Sequence, residues 1–214
     1  MKGKKIKIAG VLLVSTMLAV TSLAACGTKT TSKSTGSSGS TTTVSASDMF
    51  TKRDLDSGYD ESKATKIKLS DSKTTVSGDG AKFSSENGVN TVTITKEGTY
   101  ILSGKLNGQV VVNTDKTAKV QIVLKGATVS GKSTAAIYVK QADKVFLTLA
   151  PNSENILTET GEFASDNSST VDGVIFSKDD LSINGTGLLK ISTESGHGVV
   201  SKDDLVIASG TIEI

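Results

Sequence analysis

Two copies of one short box hold the densest set of side chains in this chain that could do chemistry. Ser177-Lys178-Asp179-Asp180-Leu181 returns as Ser201-Lys202-Asp203-Asp204-Leu205, a step of 24 residues. If the copies stack as neighbouring rungs, Asp179, Asp180, Asp203 and Asp204 form a carboxylate ladder with an axial step of about 4.8 Å. Left alone, these groups repel one another. A hard divalent cation resolves this, because calcium takes roughly 6 to 8 oxygen ligands from carboxylates, turn carbonyls and water. Asp172, just before the first box, is a further candidate ligand. The same aspartates have a plainer reading as turn formers and strand-start caps, with Lys178 and Lys202 balancing their charge. Adjacent aspartates on a strand face opposite sides, so one of each pair is available to a metal.

Other single residues offer less. His197 has no second His and no Cys to complete a zinc site, and reads as a Gly-His-Gly turn residue. Gly185-Thr186-Gly187 is followed by no helical pattern, so it is no phosphate loop. Lys178 and Lys202 are the candidates for a general base at the box, but neighbouring carboxylates raise a lysine pKa rather than lower it. Tyr100, Tyr138 and Phe146 sit at alternating positions and read as core or half-buried.

The elements that must position the boxes are short strands. Gly173-Val174-Ile175-Phe176 and Gly198-Val199-Val200 precede the boxes. Leu181-Ser182-Ile183 and Leu205-Val206-Ile207 follow, then a glycine turn and Gly187–Ile191 against Gly210–Ile214. The match needs a one-residue indel on each side of the central strand. Period-2 patterning between Gly, Asn and Asp turns argues strands, and a repeat in the low twenties fits one coil of a solenoid, which buries its apolar face only when coils stack. Residues 136–147 read as an earlier copy, with Val145 and Leu147 in the places of Leu181 and Ile183. Upstream, strands are expected at 66–70, 91–95, 99–103, 109–113, 119–125, 135–140 and 144–149, divided by turn signals such as Ser103-Gly104, Asn107-Gly108 and Lys125-Gly126. The polar stretch 152–171, with Glu154, Glu159, Glu162 and Asp166, reads as an excursion from a coil on the binding side.

The N-terminus is organised differently. Residues 1–25 carry Lys2, Lys4, Lys5 and Lys7, an apolar run from Ala9 to Val20, and Leu23-Ala24-Ala25 before Cys26. This is the pattern of a lipoprotein signal peptide, with Cys26 the lipidated residue. The apolar run is short for spanning about 30 Å of hydrocarbon. Residues 26–47 form a Ser/Thr/Gly/Lys tether that cannot build a core, and the folded domain is expected over 48–214. Met49–Asp56 reads as an entry segment covering the open end of the first coil. The formal net charge of +2 becomes −2 without the signal, since 20 basic then face 22 acidic residues, which argues against a nucleic-acid partner. With its one Cys spent on acylation the domain has no disulfide.

These residues also carry a resemblance. Met49-Phe50-Thr51, Arg53-Asp54-Leu55, Gly98-Thr99-Tyr100-Ile101-Leu102-Ser103-Gly104, Ala136-Ile137-Tyr138-Val139-Lys140, Asp143-Lys144-Val145 and both boxes resemble bacterial lipoproteins known as carbohydrate-binding domain-containing proteins. The resemblance implies an all-β chain, a right-handed parallel β-helix (solenoid) related in shape to pectate lyases. It also implies binding of cellulose or an acidic plant polysaccharide such as polygalacturonate, with calcium in the helix. A sugar carboxylate would then complete the metal shell at the boxes, with Lys178 and Lys202 as carbohydrate-binding residues. The absence of Trp favours a charged glycan over crystalline cellulose. Family members continue for further coils, so the chain is expected to be truncated at the C-terminus. The expected function is a non-catalytic glycan-binding module, lipid-anchored on the extracytoplasmic face of a bacterial membrane. The alternatives are an adhesive solenoid with a protein partner, or a calcium-dependent polysaccharide lyase.

Overall fold

The computed structural model describes residues 49–163 and 171–214. The signal, Cys26 and the tether lie outside the described residues, as does Asp166. The described chain is all-β but for one helical turn, α1 (Lys52–Leu55).

Three parallel ladders build the fold. The first stacks β4 (Val89–Ile94), the end of β5 (Gly98–Asn113), β7 (Ile137–Gln141), β10 (Gly173–Ser177) and β13 (His197–Ser201). The second stacks β1 (Thr65–Leu69), the start of β5, the start of β6 (Lys119–Lys132), β8 (Lys144–Leu149), β11 (Asp180–Gly185) and β14 (Leu205–Ile207). The third stacks the middle of β5, the end of β6, β9 (Glu154–Thr160), β12 (Leu188–Thr193) and β15 (Thr211–Glu213). At the N-terminal end β2 (Thr75–Ser77) and β3 (Ala81–Glu86) pair antiparallel with β1 and β4.

Inward side chains of successive coils stack into apolar columns, which is what a strand of only three to six residues needs to be stable. Val92, Val110, Ile137, Ile175 and Val199 share one rung position of the first ladder, and Tyr100, Ile122, Leu147, Ile183 and Ile207 one of the second. Each fully buried member contributes about 1.5–3 kcal/mol of burial. The 24-residue repeat is a rung step, Leu181 beside Leu205, and Val145 and Leu147 stand beside Leu181 and Ile183 as the pattern predicts. One alignment differs. Gly173 pairs with His197 rather than Gly198, so the first ladder needs no indel; the second indel is real, with Leu188 beside Thr211.

Two other expectations are corrected. Residues 154–160 are β9, a rung of the third ladder, rather than part of an excursion. Two of its three inward positions are polar: Asn155 accepts from the amides of Gly126 and Ala127, and Glu159 accepts from the Thr193 hydroxyl. The turn signals inside β5 and β6 do not end those strands, which pass from ladder to ladder. At Gly104 (φ 91°) the ladder bulges, and an added Cβ would sit 2.5 Å from the Leu69 carbonyl oxygen, so only glycine fits.

The N-terminal segment does not cover an open end. It is a strap along the outer face of the second ladder. Asn184 on β11 donates to the strap carbonyls of Asp54 (3.0 Å) and Asp56 (3.2 Å), Gln121 on β6 donates to Gly58 (3.3 Å), and Lys125 pairs with Glu61 (2.5 Å). Tyr59 and Ala64 pack on Ile101, Val123 and Ala150, apolar residues on the outer side of the ladder that would otherwise meet water.

Candidate functional site

Both boxes lie at the corner where the first ladder turns into the second. Strand stacking places them one above the other, as their 24-residue step requires: Ser177 stands beside Ser201 and Leu181 beside Leu205. The lysine of each box then folds back over an aromatic ring of the preceding coil. Lys178 Nζ lies 5.9 Å from the centroid of the Tyr138 ring, and Lys202 Nζ lies 5.4 Å from that of Phe176. These are cation–π distances. Tyr138 and Phe176 share a rung on the outer side of the first ladder and meet edge to face, with centroids 5.9 Å apart. Phe176 is fully covered, whereas Tyr138 is half-buried.

The outcome is a repeated unit of one outward ring and one lysine, twice along the stack. Lys178 and Lys202 were legible as candidates, but their aromatic partners were not. Tyr138 and Phe176 are 38 residues apart in the chain, and only the rung pairing shows them to be neighbours. The alternation of Ile137-Tyr138-Val139 was the available signal, since it turns Tyr138 outward.

The aspartates behave otherwise. Asp179 turns its carboxylate towards the coil before it and accepts from the Ala142 amide at 3.0 Å, while its carbonyl takes the Ser177 and Ser201 hydroxyls. Asp180 accepts from the Asp204 amide at 3.3 Å. Asp203 is exposed at the next turn. Asp172 lies at the far end of β10, roughly 15–20 Å away along the strand, where its Oδ2 is 3.9 Å from His197 Nε2. Among the described residues no three Asp, Glu, His or Cys side chains come together as metal ligands. Asp172, Asp179, Asp180, Asp203 and Asp204 therefore do not converge as one set of side-chain ligands. Asp179 and Asp180 accept from backbone amides of neighbouring coils, as the turn-and-cap reading expects of them.

Lysines complete the neutralisation of this corner. Lys119 and Lys144 stand in register with one another, and Asp180 stands beside Lys144. Lys119 pairs with Asp143 and Lys144 with the strap residue Asp54, at 3.0 Å for the latter. Lys178 and Lys202 make no ion pair among the described residues, so their charge is open to a ligand.

Comparison with known proteins bears on what that ligand is. Residues 88–214 match the family model of carbohydrate-binding domain-containing proteins. A carbohydrate-binding domain-containing protein of Acetivibrio thermocellus is 35% identical over 126 residues, 58% of this chain and 44% of that protein. The chain thus spans less than half the length of that relative. The solved structure of a polysaccharide lyase-like protein from C. thermocellum, in a gadolinium derivative, superposes with a TM-score of 0.63 at 32% identity, over 70% of this chain and 60% of that one.

Proposed function

The chain belongs to the carbohydrate-binding domain-containing protein family, and from that premise we propose that it is a non-catalytic module that holds an acidic polysaccharide at the cell surface. In this reading the ladders form a right-handed parallel β-helix, Cys26 carries the lipid anchor, and residues 26–47 hold the domain off the membrane. The observation that carries it is the doubled ring-and-lysine unit. Tyr138, half-buried beneath Lys178, offers the exposed part of its ring to a sugar, and Lys178 and Lys202 offer two unpaired ammonium groups to its carboxylates. Successive uronates of a chain lying along the stack would meet them in turn.

A second reading, a polysaccharide lyase, draws on the lyase-like structural relative. It needs a base poised at the sugar α-carbon, and at the corner the groups within reach are lysines beside carboxylates.

The test is retention of the full chain on insoluble polygalacturonate. Changing Lys178 and Lys202 together to Gln should weaken retention about a hundredfold, about tenfold for each charge-assisted hydrogen bond lost. Unchanged retention of the double variant would remove these lysines from the site. Failure of the unaltered chain to bind any acidic glycan would sink the reading. Release of unsaturated uronate during incubation would favour the lyase, and loss of retention on chelation would place a cation between protein and sugar.

A further inference from the structure

A second concave surface follows the edge of the strap. Two hollows, of about 500 and 370 Å³, open there. Glu97, Gly98 and Thr99 line both, so they are parts of one groove. Each part lies within the range of ligand clefts, about 300–1,000 Å³. The groove crosses coils rather than following one. Thr99, Gln121 and Phe146 occupy one outer rung position on three stacked strands, so its floor repeats at the coil spacing of about 4.8 Å.

Its charges are unevenly matched. Lys96 is paired with Asp79 at 2.7 Å and Lys119 with Asp143. The chain's only arginine, Arg53, lies flat over Phe146, its guanidinium carbon 4.4 Å from the ring centroid. It donates through Nη1 to the Asp56 carbonyl at 2.7 Å and approaches the Asp56 carboxylate only to 3.9 Å. Lys66, at the other end, has no ion pair among the described residues. Three acids line the groove, Glu61, Asp79 and Glu97; Glu61 is paired with Lys125 and Asp79 with Lys96, which leaves Glu97 without an ion pair among the described residues. A planar guanidinium stacked on a ring is already ordered, so it loses little freedom on gripping a carboxylate.

We infer that this groove is a second glycan subsite, specific for an acidic sugar. The sugar carboxylate sits between Arg53 and Lys119, and its hydroxyls meet Thr99 and Glu97. The inference rests on the glycan-binding reading above and adds to it a site on a different ladder. It also gives the strap a role beyond covering apolar surface, because Arg53 reaches the groove only while α1 is docked.

Calorimetric titration of the full chain with trigalacturonate, and with cellotriose as the neutral probe, tests this. The unaltered chain should take two trigalacturonates. Arg53→Gln and Lys119→Gln should each weaken one of those sites about tenfold and leave cellotriose unaffected. Since Arg53 also helps to seat the strap, Lys119→Gln, whose partner is Asp143, is the check on an indirect effect. If Arg53→Gln alone weakens binding, or if neither variant shifts affinity by twofold while the Lys178→Gln, Lys202→Gln pair does, the groove is not a subsite and the first site stands. If the unaltered chain binds neither probe, both proposals fall together.

Discussion

Asp54 shows how much one residue can depend on partners far along the chain. It is 1% exposed, and burial, the largest single influence on it, pushes its pKa upward. Hydrogen bonds outweigh that: the Thr51 hydroxyl (2.7 Å) and amide (2.9 Å) both donate to Oδ2, and the Lys144 ammonium lies 3.0 Å from Oδ1. Together they lower the pKa from 3.8 to about 2. A carboxyl whose folded pKa lies below its unfolded value stabilises the fold above the unfolded value, and that stability is lost as pH falls through the folded one. The shift corresponds to about 2 kcal/mol. Urea unfolding between about pH 5 and pH 2 should therefore show the unaltered chain losing about 2 kcal/mol more than Asp54→Asn; parallel losses would mean the carboxylate is not held as described. In the sequence Thr51-Lys52-Arg53-Asp54 reads only as part of an entry segment; the capping box it forms and its partner Lys144 came from the structure. The same limit explains the boxes: sequence repetition showed that Asp180 and Asp204 share a corner, while their orientation depends on amides of other coils.

At the scale of elements the strap and the ladders are separable. Asn184 is the main clasp, fully buried, with its amide nitrogen on the Asp54 and Asp56 carbonyls and its oxygen taking the Thr148 hydroxyl at 2.8 Å. Asn184→Ala would leave the Asp54 carbonyl and the Thr148 hydroxyl hydrogen without their partner in a buried seam, a cost of about 1–3 kcal/mol for each fully buried group, while the Asp56 carbonyl keeps the Arg53 guanidinium. That cost falls on the docking of α1 rather than on strand pairing. Trypsin should then cut after Lys52 and Arg53 at least several-fold faster in the variant, with far-ultraviolet circular dichroism unchanged. An equal cutting rate would show that the strap is held elsewhere. The strap was hard to read because its contacts are with the outer faces of strands, where a polar residue such as Gln121 or Asn184 looks like ordinary solvent-facing alternation. β9 was missed for the converse reason: its inward Asn155 and Glu159 look like solvent-facing residues. Among strands with hydrophobic inward positions, β8 was legible to the residue and β7 and β11 to within two residues at each end.

Across the whole molecule, the repeat is what the sequence displays best, and it constrains stability as well as shape. Each coil touches only its neighbours, so the worth of an inward side chain depends on how many coils flank it. Ile183 and Ile207 are the same residue type at the same rung position, adjoining each other in the second ladder. Sequence alone gives no ground for ranking them. Ile183 is 0% exposed between Leu147 and Ile207, while Ile207 is 42% exposed in the outermost coil. Ile183→Ala removes buried methylenes and leaves a cavity, a loss of about 2–5 kcal/mol. Ile207→Ala removes atoms already half in water, and should cost about 1 kcal/mol or less. Unfolding midpoints of the two variants in urea decide the matter, and hydrogen exchange locates it: amides of β13, β14 and β15 should exchange faster than those of β7, β8 and β11. Equal destabilisation by the two substitutions would mean that the outermost coil is as well covered as the inner ones, and the nearest-neighbour account of this fold would have to be given up.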